Sequence, residues 1–157
     1  MPAPLAHAAT ITVTTTADEL NTNGQCSLRE AITNANANSQ AGSTDCSAGT
    51  GNDTITFGVS GTITLCSTLL IQDTAGLTIT GPEGGITISG DNTVRVFSMH
   101  ADTTLTLEKL TVANGKGGSK DGGGSEGLPV MGRIGVALSG RDRERNQTAA
   151  SLHAQAG

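Results

Sequence analysis

The chain has 157 residues, a formal net charge of -5 and only two aromatic residues, Phe57 and Phe97. Its charged fraction of 15% is well below the roughly 25% of an average globular domain, and no run approaches the roughly 18 apolar residues of a membrane-spanning helix. An acidic chain without aromatic stacking faces argues against nucleic-acid binding, so we expect no nucleic-acid partner and no membrane-spanning segment.

Residues 1–9 are similar to the end of a secretory signal peptide. The run Ala6-His7-Ala8 fits the A-x-A cleavage pattern, but no basic region and no apolar region precede it in the sequence. Two interpretations stay open: a disordered Ala/Pro leader, or the remainder of a signal peptide with a mature chain that begins near Ala9.

Residues 10–53 predict a strand, a short helix and a surface loop. Polar and apolar residues alternate from Thr10 to Thr14, which is typical of a half-buried strand. Ser27 and Glu30 have the spacing of a helix capping box. The helix that begins there has one apolar face, formed by Leu28, Ala31, Ile32 and Ala35.

The three cysteines, Cys26, Cys46 and Cys66, are evenly spaced. Zinc sites usually take close pairs of thiolates together with further ligands, so the spacing argues against a metal site. Cys26 and Cys46 lie in polar, loop-flanked positions around the predicted helix, which favours a structural disulfide between them and an oxidising compartment. Cys66 lies in a strand-like run and is predicted to be a buried or half-buried free thiol.

From residue 54 to 118 the sequence consists of short apolar runs separated by Gly, Asp, Asn, Ser or Pro. Grouped in threes, the runs give turns of roughly 22 to 28 residues, a period typical of a β-solenoid. A β-sandwich, which normally has longer strands, is the alternative. The runs begin at Ile55, Ile63, Leu69, Leu77, Ile86, Val94, Leu105 and Leu110.

A solenoid of stacked strands would bury Ile, Leu and Val and turn Thr towards water. Its first coil would expose unpaired backbone groups and apolar side chains, so a solenoid needs a cap. The helix that begins after Ser27 directly precedes the first coil. We expect it to be that cap.

The run from Cys26 to Ile32 resembles the CSLREA-type N-terminal domain of secreted bacterial right-handed β-helix proteins. Further similarity lies in Ile11 to Glu19, Asn34 to Ala37, Gly49 to Ile55, Leu77 to Pro82 and Leu110 to Gly115, and it covers about residues 10 to 118. The resemblance implies an all-β, right-handed parallel β-helix, here of about three coils, with an N-terminal capping strand and a short amphipathic helix. It also implies a secreted or outer-membrane-associated, adhesin-like protein, related to polymorphic outer-membrane proteins, and it supplies no catalytic residue.

The resemblance stops after residue 118. Residues 119–157 carry five of the nine basic residues, and the Thr alternation is lost. Two interpretations stay open for this segment: a natural disordered tail, or a non-native sequence from a frameshift or a fragmentary gene.

Few residues of the sequence are candidates for metal binding or catalysis. The run Gly49-x-Gly51-x-Asp53-x-Ile55 fits part of the calcium-binding nonapeptide, but one copy supplies only part of a calcium shell, and a turn explains it better. A β-helix polysaccharide lyase or hydrolase would need clustered carboxylates, whereas a solvated surface explains the candidates better. They are Asp73, Glu83, Asp91, Arg95, Asp102, Glu108 and Lys109, and His100 stands alone.

We therefore predict a non-enzymatic module without metal or cofactor. It is expected to form the N-terminal capping part of an extracellular or cell-surface β-helix protein in adhesion or surface display, with an unidentified surface, host or matrix ligand. End-to-end self-association is expected because only about three coils are present and the far end has no evident cap. The alternative is the remnant of a β-helix polysaccharide lyase or hydrolase that lacks its catalytic coils.

Overall fold

The structure is a computed structural model, and it describes residues 8–100 and 103–116 together with a strand at residues 136–139. The predicted leader lies outside the described residues except at positions 8 and 9. The predicted tail also lies outside them, except for that strand. Asp102, one of the candidate acidic residues, is outside them as well.

The described residues form one helix and ten short strands. Helix α1 spans Leu28–Ala37. The strands are β1 (Thr10–Val13), β2 (Asp53–Phe57), β3 (Gly61–Thr64), β4 (Leu69–Ile71), β5 (Leu77–Thr80), β6 (Ile86–Ser89), β7 (Phe97–Met99), β8 (Thr104–Glu108), β9 (Thr111–Ala113) and β10 (Val136–Ser139).

The strands pair in three sheets. The first sheet has the order β1-β2-β5-β8-β10, the second β3-β6-β9 and the third β4-β7. All pairs are parallel except that of β10 with β8. The predicted strand-rich architecture with little helix is therefore confirmed at the level of parallel sheets.

Side chains alternate between the interior and the surface along each strand. In the first sheet, Ile11 is in register with Ile55, which pairs with Ile79, which in turn pairs with Leu107. All four side chains are fully buried. Their Thr neighbours in the sequence lie on the outer, at least partly exposed face, because successive residues of a strand point to opposite sides.

Two local predictions need correction. Strand β7 begins at Phe97 and not at Val94, because Asp91 and Asn92 adopt left-handed φ angles of 52° and 60° and extend the preceding turn. Cys66 is free but exposed, contrary to the predicted burial. Strand β3 already ends at Thr64, so Cys66 lies in a surface turn.

Candidate functional site

The N-terminal cap, defined here as residues 10–52, is the part of the structure with the densest set of specific polar contacts. The predicted capping box is present at the start of α1. The Glu30 N–H donates to Ser27 Oγ (3.2 Å), and the Ser27 N–H donates to Glu30 Oε2 (2.9 Å). Glu30 is fully buried, and its Oε1 accepts from the Asn21 N–H (2.7 Å). Two backbone donors therefore compensate the burial of this carboxylate.

A disulfide joins Cys26 and Cys46, as the sequence predicts, with the two Cα atoms 5.0 Å apart. Both cysteines are buried. The Thr14 N–H donates to the Cys26 carbonyl oxygen (2.8 Å), and the Cys26 N–H donates to Thr14 Oγ1 (2.9 Å). The disulfide thus fixes the loop after α1 to a residue that is itself bound to the end of β1.

Arg29 of α1 and Asp18 form an ion pair within the cap, and both residues also bind the segment between β3 and β4. Arg29 Nε and Nη2 each lie 2.8 Å from one oxygen of the Asp18 carboxylate. Arg29 also donates to the carbonyl oxygens of Ser67 (2.7 Å) and Thr68 (3.3 Å). Asp18 in turn accepts from the Cys66 N–H (2.7 Å). The paired charges therefore fasten the helix to the segment between β3 and β4.

Two asparagine side chains of α1 bind the segments that pack against the helix. The buried Asn34 accepts from the N–H groups of Gly42 and Ser43 and donates to the Ser43 carbonyl oxygen. Asn36 lies at the edge of β4, donates to the Leu70 carbonyl oxygen (2.8 Å) and accepts from the Gln72 N–H (2.8 Å). Asn36 therefore makes the contacts that a neighbouring strand would make with β4.

Close packing of the following loop on α1 requires a glycine at position 49. A Cβ atom there would lie 2.3 Å from the Asn34 carbonyl oxygen, which is backbone and cannot move aside. The Gly51 N–H further donates to Asn38 Oδ1, and Asn38 ends the helix in the left-handed conformation. The sequence feature that suggested calcium is thus part of the packing of the loop against the helix.

No family model, curated protein or solved structure matches this chain. The function is therefore inferred from the residues of this chain and their arrangement. No helix in the described part of the chain is long and apolar enough to cross a membrane.

The residues considered for catalysis or calcium binding differ in their burial. Asp53 at the start of β2 and Asp73 in the turn after β4 are buried, whereas Glu83, Asp91, Glu108 and Lys109 are exposed. Arg95 is half-buried, and His100 is exposed at the end of β7. Among residues 8–100 and 103–116, no three His, Cys, Asp or Glu side chains converge as metal ligands would. Asp53 and Asp73 lie close enough for their charges to interact, but both are buried, whereas glycan cleavage requires a pair of carboxylates that can reach the substrate.

Asp53, the acidic residue of the calcium-like motif, is committed to backbone donors. Its carboxylate accepts from the N–H groups of Ala9 (2.9 Å) and Thr50 (3.0 Å). Donors that point at a carboxylate satisfy its negative charge and occupy the positions that a cation would take. The geometry therefore supports the turn interpretation of this motif.

Asp73 is the buried carboxylate with an unsatisfied atom. Its Oδ1 accepts from the Ala75 N–H (2.9 Å), but its buried Oδ2 has no hydrogen-bond partner among the described residues. Burial raises the pKa of Asp73, the Ala75 N–H opposes that shift, and the nearby Asp53 charge adds to it. A carboxylic acid with a raised pKa is held more tightly as the protonated form in the folded state than in the unfolded state.

The direction of the Asp73 pKa shift predicts how the free energy of unfolding depends on pH. The contribution of Asp73 to the free energy of unfolding is most favourable below its ordinary pKa of 3.8 and falls as pH rises through the raised folded-state value. We expect Asp73→Asn to lose less stability than the parent chain between about pH 4 and neutral pH. Denaturant unfolding across this range measures the difference, with the exposed Glu83→Gln as control. Parallel stability curves for parent and Asp73→Asn would contradict the prediction.

Sequence reasoning missed several of these contacts. No sequence pattern predicted a contact for Arg29 or for Asp18. No pattern predicted the contacts of Asn34 and Asn36 either, yet asparagine is a poor helix former, and a residue that weakens a helix is retained most readily where its side chain binds elsewhere. The presence of asparagine within a predicted helix was therefore the available sequence signal for these side-chain contacts.

Proposed function

We propose that this chain is the capped N-terminal module of a secreted or cell-surface right-handed parallel β-helix protein that acts, without catalysis, in adhesion or surface display. The observation that carries the proposal is that two N-terminal elements, β1 and α1, each cover the edge of a sheet. Strand β1 pairs with β2 in the first sheet, and α1 lies against β4 of the third sheet through Asn36.

The β-helix interpretation is supported by the order in which the chain visits the sheets. Strands β2, β3 and β4 enter the first, second and third sheet in turn, and β5, β6 and β7 repeat that order. Parallel pairing of each strand with its equivalent from the previous passage is what a coil of this kind produces. Right-handedness is supported by the strong preference of parallel crossovers for that hand.

Placement outside the cytoplasm is supported by the disulfide between Cys26 and Cys46, since disulfides persist in oxidising compartments. The resemblance of residues 10–118 to CSLREA-type domains points to the same location and to an adhesin-like role. The burial of Asp53 and Asp73, two carboxylates that lie close enough to interact, favours a display role over the cleavage of polysaccharides.

The location is tested on intact cells that carry the gene. We expect an antibody against the chain to label unpermeabilised cells or the culture medium, and external protease to remove the cell-bound signal. A cytoplasmic protein of known location, probed in the same samples, controls for lysis. Labelling that appears only after permeabilisation would overturn the proposed location.

The absence of catalysis is tested with the purified, oxidised chain. We expect no new reducing ends and no unsaturated products when it is incubated with pectin-like polymers, with or without calcium. A commercial polygalacturonate lyase serves as positive control. Reproducible cleavage that increases with the concentration of the chain would replace the display role with a lyase or hydrolase role.

A further inference from the structure

A surface cleft lies on the outer face of the third sheet, beside the residues of that sheet that the cap binds. It is a cleft of about 520 Å³ lined by Thr68, Leu70, Arg95, Ser98 and Lys116. This volume falls within the range of small-molecule binding sites. Leu70 and Ser98 face each other across the pairing of β4 with β7, so both sheet strands contribute to its floor.

The cleft is formed by three segments of the chain that lie side by side. Each segment comes from a successive passage of the chain, where a passage is one visit to the sheets in turn. Thr68 and Leu70 belong to the first passage, and Arg95 and Ser98 belong to the second. The Lys116 N–H donates to the Val94 carbonyl oxygen (2.9 Å), which places the third passage beside the residue that precedes Arg95. Backbone pairing therefore brings two cations into one cleft although they are distant in the sequence.

The described residues of this cleft carry a charge opposite to that of the chain as a whole. The part of the chain that the structure describes contains four basic side chains, Arg29, Arg95, Lys109 and Lys116, and two of them line this cleft. Among the described residues, none that lines the cleft carries a carboxylate. Arg29, in contrast, is neutralised by Asp18. On a chain with a net charge of -5, this local concentration of positive charge selects a ligand with few negative charges and disfavours a dense polyanion.

The other lining groups define the rest of the ligand. Leu70 is 45% exposed and offers an aliphatic surface, while the hydroxyl groups of Thr68 and Ser98 can both donate and accept hydrogen bonds. A sugar presents a C–H face and several hydroxyl groups, and a carboxylate on that sugar matches the planar donor geometry of an arginine. We propose that this cleft binds an acidic sugar, with Arg95 and Lys116 contacting its carboxylate.

The inference rests on the proposed adhesive role for its biological setting and names the class of ligand. Its test needs only the purified chain, so it can fail while the surface location stands, and the location can fail while binding stands. The probe is a trimer of galacturonic acid, and binding is followed by isothermal titration calorimetry and by NMR shift changes at low and at moderate salt.

We expect saturable binding that weakens as salt is added, and no binding of the neutral trimer maltotriose. Loss of a charge-assisted contact should weaken binding roughly tenfold or more in Arg95→Gln and in Lys116→Gln. Lys109→Gln makes the same charge change at a cleft on another face and should bind as the parent does. Arg95→Lys should recover part of the affinity, since it restores the charge without the planar fork.

Three results would overturn the inference. The first is no saturable binding of the acidic trimer. The second is an equal loss of affinity in Lys109→Gln, which would show a general charge effect. The third is binding of inorganic sulfate as tight as that of the trimer, which would show a simple anion site without recognition of the sugar. Thermal unfolding of each variant verifies that the change in binding is not a change in folding.

Discussion

Leu28→Asp is expected to lower the free energy of unfolding by about 4 kcal/mol and to promote association of the chain. Leu28 is the first residue of α1, is 1% exposed and belongs to the apolar core. An acidic residue at a helix start gains only about 0.3–1 kcal/mol from the helix dipole. Loss of apolar burial and introduction of a buried charge outweigh that gain.

The matched control is Leu20→Asp, which makes the same change at a leucine that is 56% exposed. Its stability should stay within about 0.5 kcal/mol of the parent chain. Denaturant unfolding measures the stability, and sedimentation velocity at several concentrations measures association. Leu28→Ala provides a milder, graded variant in case the aspartate variant does not fold.

The association readout separates a cap from an ordinary core residue. A helix that covers the ends of stacked strands leaves pairing-competent edges open when it is displaced, and such edges recruit a second chain. Leu28→Asp that is destabilised yet strictly monomeric would contradict the capping role. Equal behaviour of Leu28→Asp and Leu20→Asp would contradict the burial of α1 itself.

Arg29→Met is expected to lower the free energy of unfolding by about 3 kcal/mol. The methionine keeps much of the aliphatic stem but removes the charge that faces Asp18, whose side chain is 1% exposed. Asp18 would then keep the Cys66 N–H as a donor but lose its cation. Removing one partner of a buried ion pair is costly because the other charge stays buried without compensation.

Arg95→Met is the matched control, since no described residue forms an ion pair with Arg95, and its cost should stay within about 0.5 kcal/mol. A double-mutant cycle with Asp18→Asn completes the test. The combined variant should be more stable than the sum of the single losses implies, by about 1 kcal/mol or more. Additive losses would show that Arg29 and Asp18 act independently. That result would contradict the stabilising role of the ion pair.

Much of the cap was predictable because its signals are local. The spacing of Ser27 and Glu30 is sufficient to form a capping box within one helical turn, and both hydrogen bonds of that box are present. The pairing of Cys26 with Cys46 followed from the polar positions on either side of the helix. The alternation of Ile and Thr predicted which residues of each strand face inward, because that alternation is a property of strand geometry.

Contacts between distant segments were not predictable in the same way. The ion pair of Arg29 with Asp18 depends on where the loop before the helix returns to it. The convergence of Arg95 and Lys116 depends on how many residues each turn of the chain uses. The exposure of Cys66 depends on where β3 ends, and the apolar pattern of the run from Ile63 to Leu69 does not mark that end.

The sequence by itself determined the strand periodicity, the helix start, the disulfide partners and the inward-facing residues, because each depends on neighbours along the chain or on one simple period. Only the tertiary structure decided which strands share a sheet, which polar side chains of α1 bind β4 and the segment before it, and which basic residues meet in one cleft. Those outcomes depend on the register between passages that are separated by variable turns. Register is fixed by the packing of the whole core, which no single segment encodes.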